Sequence, residues 1–177
     1  KRSASSTRSI KELFLERWTM IKVLFVCTGN TLRSASAEYL FRQEIQKHNA
    51  TGIEVASAGT RGNPLGPYKE CIERVKTHGA DMSGHCFRAL TEEIVADADI
   101  IICMSKIHQR FLEEHFKRES SLFNHIVTGE ATDLQDDAEA HIHPGDPRFE
   151  RFIFRLVDTI ARGMPKIYAY VTNHETL

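Results

Sequence analysis

Apolar residues along this chain alternate between short continuous runs and longer segments with helical spacing. Four runs have the length and β-branched content of buried strands, at 21–27, 53–59, 99–104 and 125–129. Helical spacing is predicted between and after these runs, at 35–46, 71–79, 91–98, 107–116 and 149–160. Gly163 and Pro165 are the predicted stop of the last helix. This alternation predicts an α/β fold of three layers, in which helices cover both faces of a four-stranded parallel sheet.

The N-terminal segment, residues 1–19, lacks this pattern. Residues 1–9 are rich in serine and arginine, and residues 10–18 carry apolar side chains at the spacing of a short amphipathic helix. We therefore expect an extension or tag over 1–19 and a single domain over 20–177, with Met20 as a possible start of the domain.

The composition of the chain excludes several classes of protein and of binding partner. The 177 residues are 41% hydrophobic and 27% charged, as in an ordinary globular domain. The 23 basic and 24 acidic residues give a net charge of -1, so nucleic acid and membrane are not expected partners. No apolar run reaches the length of a bilayer span. The four cysteines, Cys27, Cys71, Cys86 and Cys103, form no Cys-x-x-Cys motif, which favours free thiols in the cytoplasm.

Candidate chemistry lies where the first predicted strand meets the first predicted helix. A loop at a helix N-terminus directs several backbone N–H groups inward and binds anions the size of a phosphate. Cys27 would stand at the base of this loop, where the same N–H groups stabilise a thiolate. Arg33 can bind two phosphate oxygens, and Ser34 can donate a hydrogen bond to the sulfur. Gly29 and Asn30 suit the positive φ angles that such a loop needs.

The run VCTGNTLRSASAE, residues 26–38, resembles the phosphate-binding loop of the low-molecular-weight protein tyrosine phosphatase family. The resemblance extends over about residues 21–165. It continues in VASAGT (55–60), GADMSGHCFRALT (79–91), DIIICMSKIH (99–108) and the dipeptide Asp146-Pro147.

This resemblance implies a metal-free and cofactor-free mechanism. Cys27 would attack phosphorus, Arg33 would stabilise the transition state, and Asp146 would protonate the leaving group. Ser57 would support the loop through Asn30. The phosphate-binding residues would be Thr28, Gly29, Asn30, Thr31, Leu32 and Ser34. From the residues alone, Asp133, Asp136 and Asp137 are rivals of Asp146 for the acid.

Three departures from the family pattern bear on chemistry. Leu32 replaces a frequent second cysteine, so we expect Cys27 to be inactivated more easily by peroxide. Ala35 replaces a frequent proline in the first helical turn, at small cost. Arg148-Phe149-Glu150 follows Asp146-Pro147 where many members have aromatic residues and then glycine, and Phe149 would still form a wall of the substrate pocket.

We expect a phosphorylated protein as substrate, phosphotyrosine as the favoured residue, and phosphate or vanadate as inhibitory oxyanions. Thr31 leaves a protein-arginine phosphatase of the same fold as an alternative, because threonine makes the rim more polar and roomier.

Three other functions stay open as alternatives. The first is a catalytically silent module that binds phosphate or phosphopeptides. An arsenate reductase is disfavoured because no further cysteine follows Cys103 in the next helix. A metal site at His141 and His143 is also disfavoured, since no third ligand is evident.

Overall fold

The computed structural model describes residues 20–61 and 65–173. The strands are β1 (Ile21–Cys27), β2 (Ile53–Gly59), β3 (Ile100–Cys103) and β4 (Ser121–Leu122). The helices are α1 (Arg33–Lys47), α2 (Lys69–Thr77), α3 (Glu92–Asp97), α4 (Lys106–Phe116), α5 (Phe123–Thr128) and α6 (Phe149–Asn173). The predicted extension over 1–19, including its amphipathic segment, lies outside the described residues.

The four strands form one parallel sheet in the order β2-β1-β3-β4. This confirms the predicted α/β fold with a four-stranded parallel sheet. β1 pairs with a strand on each side, which places Cys27 beside Gly59 of β2 and Val26 beside Cys103 of β3. The carboxyl end of β1 therefore opens onto the middle of the sheet edge, where ligands bind in folds of this kind.

Two apolar cores, one on each face of the sheet, are built from alternate residues of β1. Phe25 packs with Phe41 of α1 and Ile153 of α6 on one face. Leu24 on the opposite face packs with Val95 of α3, and Leu112 of α4 belongs to the same cluster. Because successive side chains of a strand point to opposite faces, a continuous apolar run requires helices on both sides. No helix in the described part of the chain is long and apolar enough to cross a membrane.

Two predicted element boundaries are wrong. The run 125–129, predicted as the fourth strand, belongs mostly to α5, and the strand that completes the sheet is the two-residue β4 just before it. The last helix does not stop at Gly163 and Pro165 but continues to Asn173. Its buried face extends past the proline through Ile167 and Val171, and this burial outweighs the local helix-breaking tendency.

Candidate active site

The loop between β1 and α1 lies against the end of β2. The amide of Thr60 donates to the Cys27 carbonyl and the amide of Arg61 donates to the Thr28 carbonyl, each at 2.9 Å. A Cβ added to Gly59 would stand 2.7 Å from the Thr28 carbonyl oxygen. Glycine is therefore required at position 59 for the loop to approach the sheet this closely.

Asn30 holds the loop in shape through all its polar groups. Its φ of 52° lies in the left-handed region that asparagine tolerates. Its Nδ2 donates to Ser57 Oγ at 2.7 Å and to Ser34 Oγ at 3.0 Å. Its Oδ1 accepts from the Arg88 amide at 2.8 Å, and its carbonyl accepts from His85 Nε2 at 2.7 Å. Ser57 thus contacts Asn30 directly, and His85 and Arg88 of the segment 79–91 contact it as well.

A buried carboxylate anchors this network. Ser57 donates to Glu38 Oε2 at 2.5 Å, and the other Glu38 oxygen accepts from Arg42. Glu38 is 2% exposed, so its charge needs both partners. This role of Glu38 could not be predicted from the sequence, because a glutamate in a helical pattern is usually an exposed surface residue.

The Cys27 sulfur lies at the base of the loop. It accepts from the Asn30 amide at 3.2 Å and lies 2.9 Å from Ser34 Oγ. The N-terminus of α1 follows at Arg33, which adds the positive end of a helix dipole. Burial raises the pKa of the Cys71 and Cys103 thiols to about 12, so neither is a ready nucleophile. An amide, a hydroxyl and a helix N-terminus thus surround the Cys27 sulfur, an environment in which a cysteine can act as a nucleophile.

The Arg33 guanidinium is buried and faces a turn that follows α5 by several residues. Its Nη1 donates to the Leu134 carbonyl at 2.9 Å and lies 3.3 Å from Glu139 Oε2. Its Nη2 forms an ion pair with Asp136. The structure therefore brings one of the rival aspartates, Asp136, to the arginine of the loop.

Asp146 contacts a different arginine. Its carboxylate accepts from the Arg148 amide at 2.8 Å and from Arg148 Nη2 at 2.7 Å. These hydrogen bonds from Arg148 lower the pKa of Asp146 to about 2. Asp146 thus pairs with Arg148 outside the loop, whereas Asp136 pairs with Arg33 of the loop.

Phe149 is 5% exposed and packs into the core. Its ring lies edge-on to Tyr68, with centroids 5.0 Å apart. Tyr68 in turn donates to Asp137 Oδ2 at 2.9 Å. Burial of the Tyr68 hydroxyl, and secondly its hydrogen bond to the Asp137 carboxylate, raise the pKa of Tyr68 to about 12. Phe149 and Tyr68 therefore support the turn that carries Asp136. Thr31, named above as the residue that makes the pocket rim more polar, lies in the loop and is 6% exposed.

Residues missed from the sequence lie far from the loop along the chain. His108 Nε2 contacts Thr28 Oγ1 at 2.9 Å. Glu139 is reciprocally hydrogen bonded with Asp136, in the pattern of an acidic residue followed three positions later by glutamate. That pattern is a recognisable signal of a capped turn, whereas nothing in the sequence ties His108 to the loop.

The metal alternative gains no support from the described residues. His141 and His143 are exposed, and no group of three or more histidine, cysteine or acidic side chains in 20–61 and 65–173 could hold a metal ion.

Comparisons with a family model and with individual proteins point to the same family. Residues 22–166 match the sequence model of the family described as low molecular weight phosphotyrosine protein phosphatase. A protein-arginine-phosphatase of Bacillus subtilis is 32% identical over 117 residues, which are 64% of this chain and 77% of that protein. The human low molecular weight phosphotyrosine protein phosphatase is 40% identical over 93 residues, 51% of this chain and 58% of its own length.

Solved structures share the fold. A low molecular weight protein tyrosine phosphatase from T. tengcongensis has a TM-score of 0.72 at 26% identity, over 85% of this chain and 99% of its own. A YwlE mutant from Bacillus subtilis has a TM-score of 0.74 at 24% identity, over 86% of this chain and 99% of its own.

Proposed function

This chain belongs to the low molecular weight phosphotyrosine protein phosphatase family of cysteine-dependent phosphatases, and from that premise we propose that it hydrolyses phosphotyrosine in proteins. The observation that carries the proposal is the Cys27 sulfur, which accepts from a loop amide and lies 2.9 Å from Ser34 Oγ. The proposed compartment is the cytoplasm, where a free catalytic thiol stays reduced.

The proposed reaction has two steps. In the first, Cys27 Sγ forms a bond to phosphorus as the bond to the leaving oxygen breaks, and Asp136 gives that oxygen a proton. In the second, Asp136 takes a proton from water as the water oxygen displaces the sulfur. Arg33 and the N–H groups of residues 28–34 stabilise the phosphoryl oxygens in both transition states. Ser34 donates to the sulfur as it leaves as a thiolate.

Phosphoarginine is the second candidate substrate. Thr31 lies in the loop, and Asp136 and Glu139 place carboxylates beside Arg33. Carboxylates near the leaving group favour a guanidinium over a neutral phenol. The B. subtilis relative of 32% identity is named as a protein-arginine-phosphatase.

The test of function is phosphate release from a phosphotyrosine peptide and a phosphoarginine peptide assayed side by side. Cys27→Ser is the blank, and we expect it to lose turnover while it still binds phosphate or vanadate. A preference for phosphoarginine would make the second candidate the function. Release from neither peptide would favour the phosphate-binding module. Chelators are expected to leave the rate unchanged.

The assignment of the acid predicts a difference between two matched variants. We expect Asp136→Asn to lower kcat on aryl phosphates with poor leaving groups by about a hundredfold or more, and good leaving groups much less, because only poor ones need the proton. Asp146→Asn removes the same charge and should leave this dependence unchanged. A reversed result, with the dependence lost in Asp146→Asn, would restore Asp146 as the acid.

A further inference from the structure

The turn at residues 136–139 is built around two carboxylates. The Asp136 amide donates to Glu139 Oε2 at 3.0 Å, and the Glu139 amide donates to Asp136 Oδ1 at 2.9 Å. The Ala140 amide then donates to the Asp136 carbonyl at 3.0 Å. Reciprocal bonds of this kind cap a helical turn and fix both side chains.

Both carboxylates point at the same arginine. Asp136 pairs with Arg33 Nη2, and Glu139 lies 3.3 Å from Arg33 Nη1. Arg33 is 1% exposed, whereas the Glu139 side chain is 36% exposed. One buried guanidinium thus faces two negative charges and a backbone carbonyl.

A phosphoryl dianion needs the same N–H donors. Arg33 presents a fixed planar set of donors, so oxygens of a phosphate and oxygens of the two carboxylates compete for it. The second carboxylate also repels the incoming dianion. Asp136 is required for proton transfer in the proposed reaction, but Glu139 carries no proton in that reaction.

We propose that Glu139 is a positioning residue that, with Asp136, occupies Arg33 in the substrate-free enzyme and thereby sets the affinity for phosphoryl dianions. The proposal rests on the proposed function in taking Arg33 as the phosphate-binding arginine. The reciprocal hydrogen bonds between Glu139 and Asp136 do not involve Arg33, so they persist when a dianion displaces the two carboxylates from Arg33. Glu139 therefore keeps Asp136 in place after Arg33 has turned to the substrate.

Two substitutions separate the charge of Glu139 from its support of the turn. Glu139→Gln keeps an oxygen that accepts from the Asp136 amide but removes the charge. We expect it to lower the dissociation constant of inorganic phosphate and the inhibition constant of vanadate by about threefold to tenfold. Glu139→Ala removes the acceptor as well, so it should also lower kcat by about tenfold.

The matched control is Glu150→Gln in the first turn of α6, an exposed residue whose loss changes the net charge equally. Phosphate binding is measured by calorimetry and kcat and KM by turnover, at two ionic strengths. The proposal predicts that KM falls in Glu139→Gln and that the gain in affinity shrinks at high salt.

Several outcomes would overturn the proposal. An unchanged phosphate affinity in Glu139→Gln, or an equal gain in Glu150→Gln, would remove Glu139 from control of binding. In either case wild-type turnover would leave the proposed function standing. If the wild-type protein neither bound phosphate nor hydrolysed a phosphopeptide, the role of Arg33 and the proposed function would both fall.

Discussion

The protonation of His108 follows from its hydrogen bonds. Its Nδ1 lies 3.1 Å from the Ser105 amide, which can only donate, so Nδ1 is an acceptor. A neutral ring then carries its proton on Nε2 and donates to Thr28 Oγ1 at 2.9 Å. A second proton on Nδ1 would break the bond from Ser105. Burial and then the charge of Arg33 lower the pKa of His108 to about 3.

This arrangement predicts a loss of stability in acid. Below pH 6.5 the histidine takes up a proton in the unfolded chain but not in the folded protein, until the pH reaches about 3. The free energy of unfolding should therefore fall by up to about 1.4 kcal/mol per pH unit in this window as the pH is lowered. Urea unfolding between pH 7 and pH 4 measures this slope.

His108→Gln isolates the contribution of the ring to that slope. We expect the variant to have a shallower pH dependence than the wild type. His115→Gln, which changes an exposed histidine of α4, is the control. Equal slopes in His108→Gln and the wild type would show that His108 is protonated alike in the folded and unfolded chains.

At the scale of elements, α6 tolerates a proline that the sequence pattern treats as a stop. Pro165 is exposed and has no N–H to donate to the Ala161 carbonyl. Two residues earlier, Gly163 lies against α5, and a Cβ there would stand 2.7 Å from Phe123 Cζ and 2.9 Å from Val127 Cγ2. The glycine permits close helix packing, and the proline is carried at a cost in stability.

Substitutions at these two positions should change stability in opposite directions. Pro165→Ala restores a helical hydrogen bond but also gives the unfolded chain more conformational freedom, which offsets part of the gain. We expect the free energy of unfolding to rise by about 1–2 kcal/mol in total. Gly163→Ala should lower it by about 1–2 kcal/mol, because the clash outweighs the gain in helix propensity. Urea denaturation compares the two, and a shift of both in the same direction would contradict the account.

Periodicity predicted the elements that are long and buried. β1 and β3 are continuous apolar runs of the kind that fill buried parallel strands. Thr91 is a residue type that favours the N-cap of a helix, and it caps α3 by accepting from the Ile94 amide at 3.4 Å. The run 125–129 is too short for its periodicity to distinguish a strand from a buried helix, so its helical structure could not be predicted. β4 has two residues, too short to leave any pattern.

At the scale of the whole molecule, the site combines one contiguous loop, which the sequence predicts well, with residues from distant elements, which it does not. The loop from Cys27 to Ser34 is contiguous, so its chemistry could be predicted directly. The groups that complete it come from elsewhere: His85 follows α2, His108 lies in α4 and Asp136 precedes α6. Between Asp136 and Asp146 the residues alone could not decide, because the choice depends on which turn folds back onto Arg33.

Because loop, sheet and both helical layers meet at the anion site, ligand binding should stabilise the whole domain. At a phosphate concentration about 100 times its dissociation constant, the free energy of unfolding should rise by about 2.7 kcal/mol. For a chain of 177 residues this corresponds to a rise in Tm of about 5–10 °C. Sodium chloride of equal ionic strength is the first control.

Phosphate also stabilises proteins without binding a site, so a variant must separate the two effects. Arg33→Met removes the guanidinium that the bound anion requires, and its Tm should rise with phosphate by only the non-specific amount. Differential scanning calorimetry measures both proteins across a phosphate titration. An equal rise in the two would mean that the loop does not bind phosphate through Arg33, while a saturable rise confined to the wild type would tie the stability of the fold to occupation of the loop.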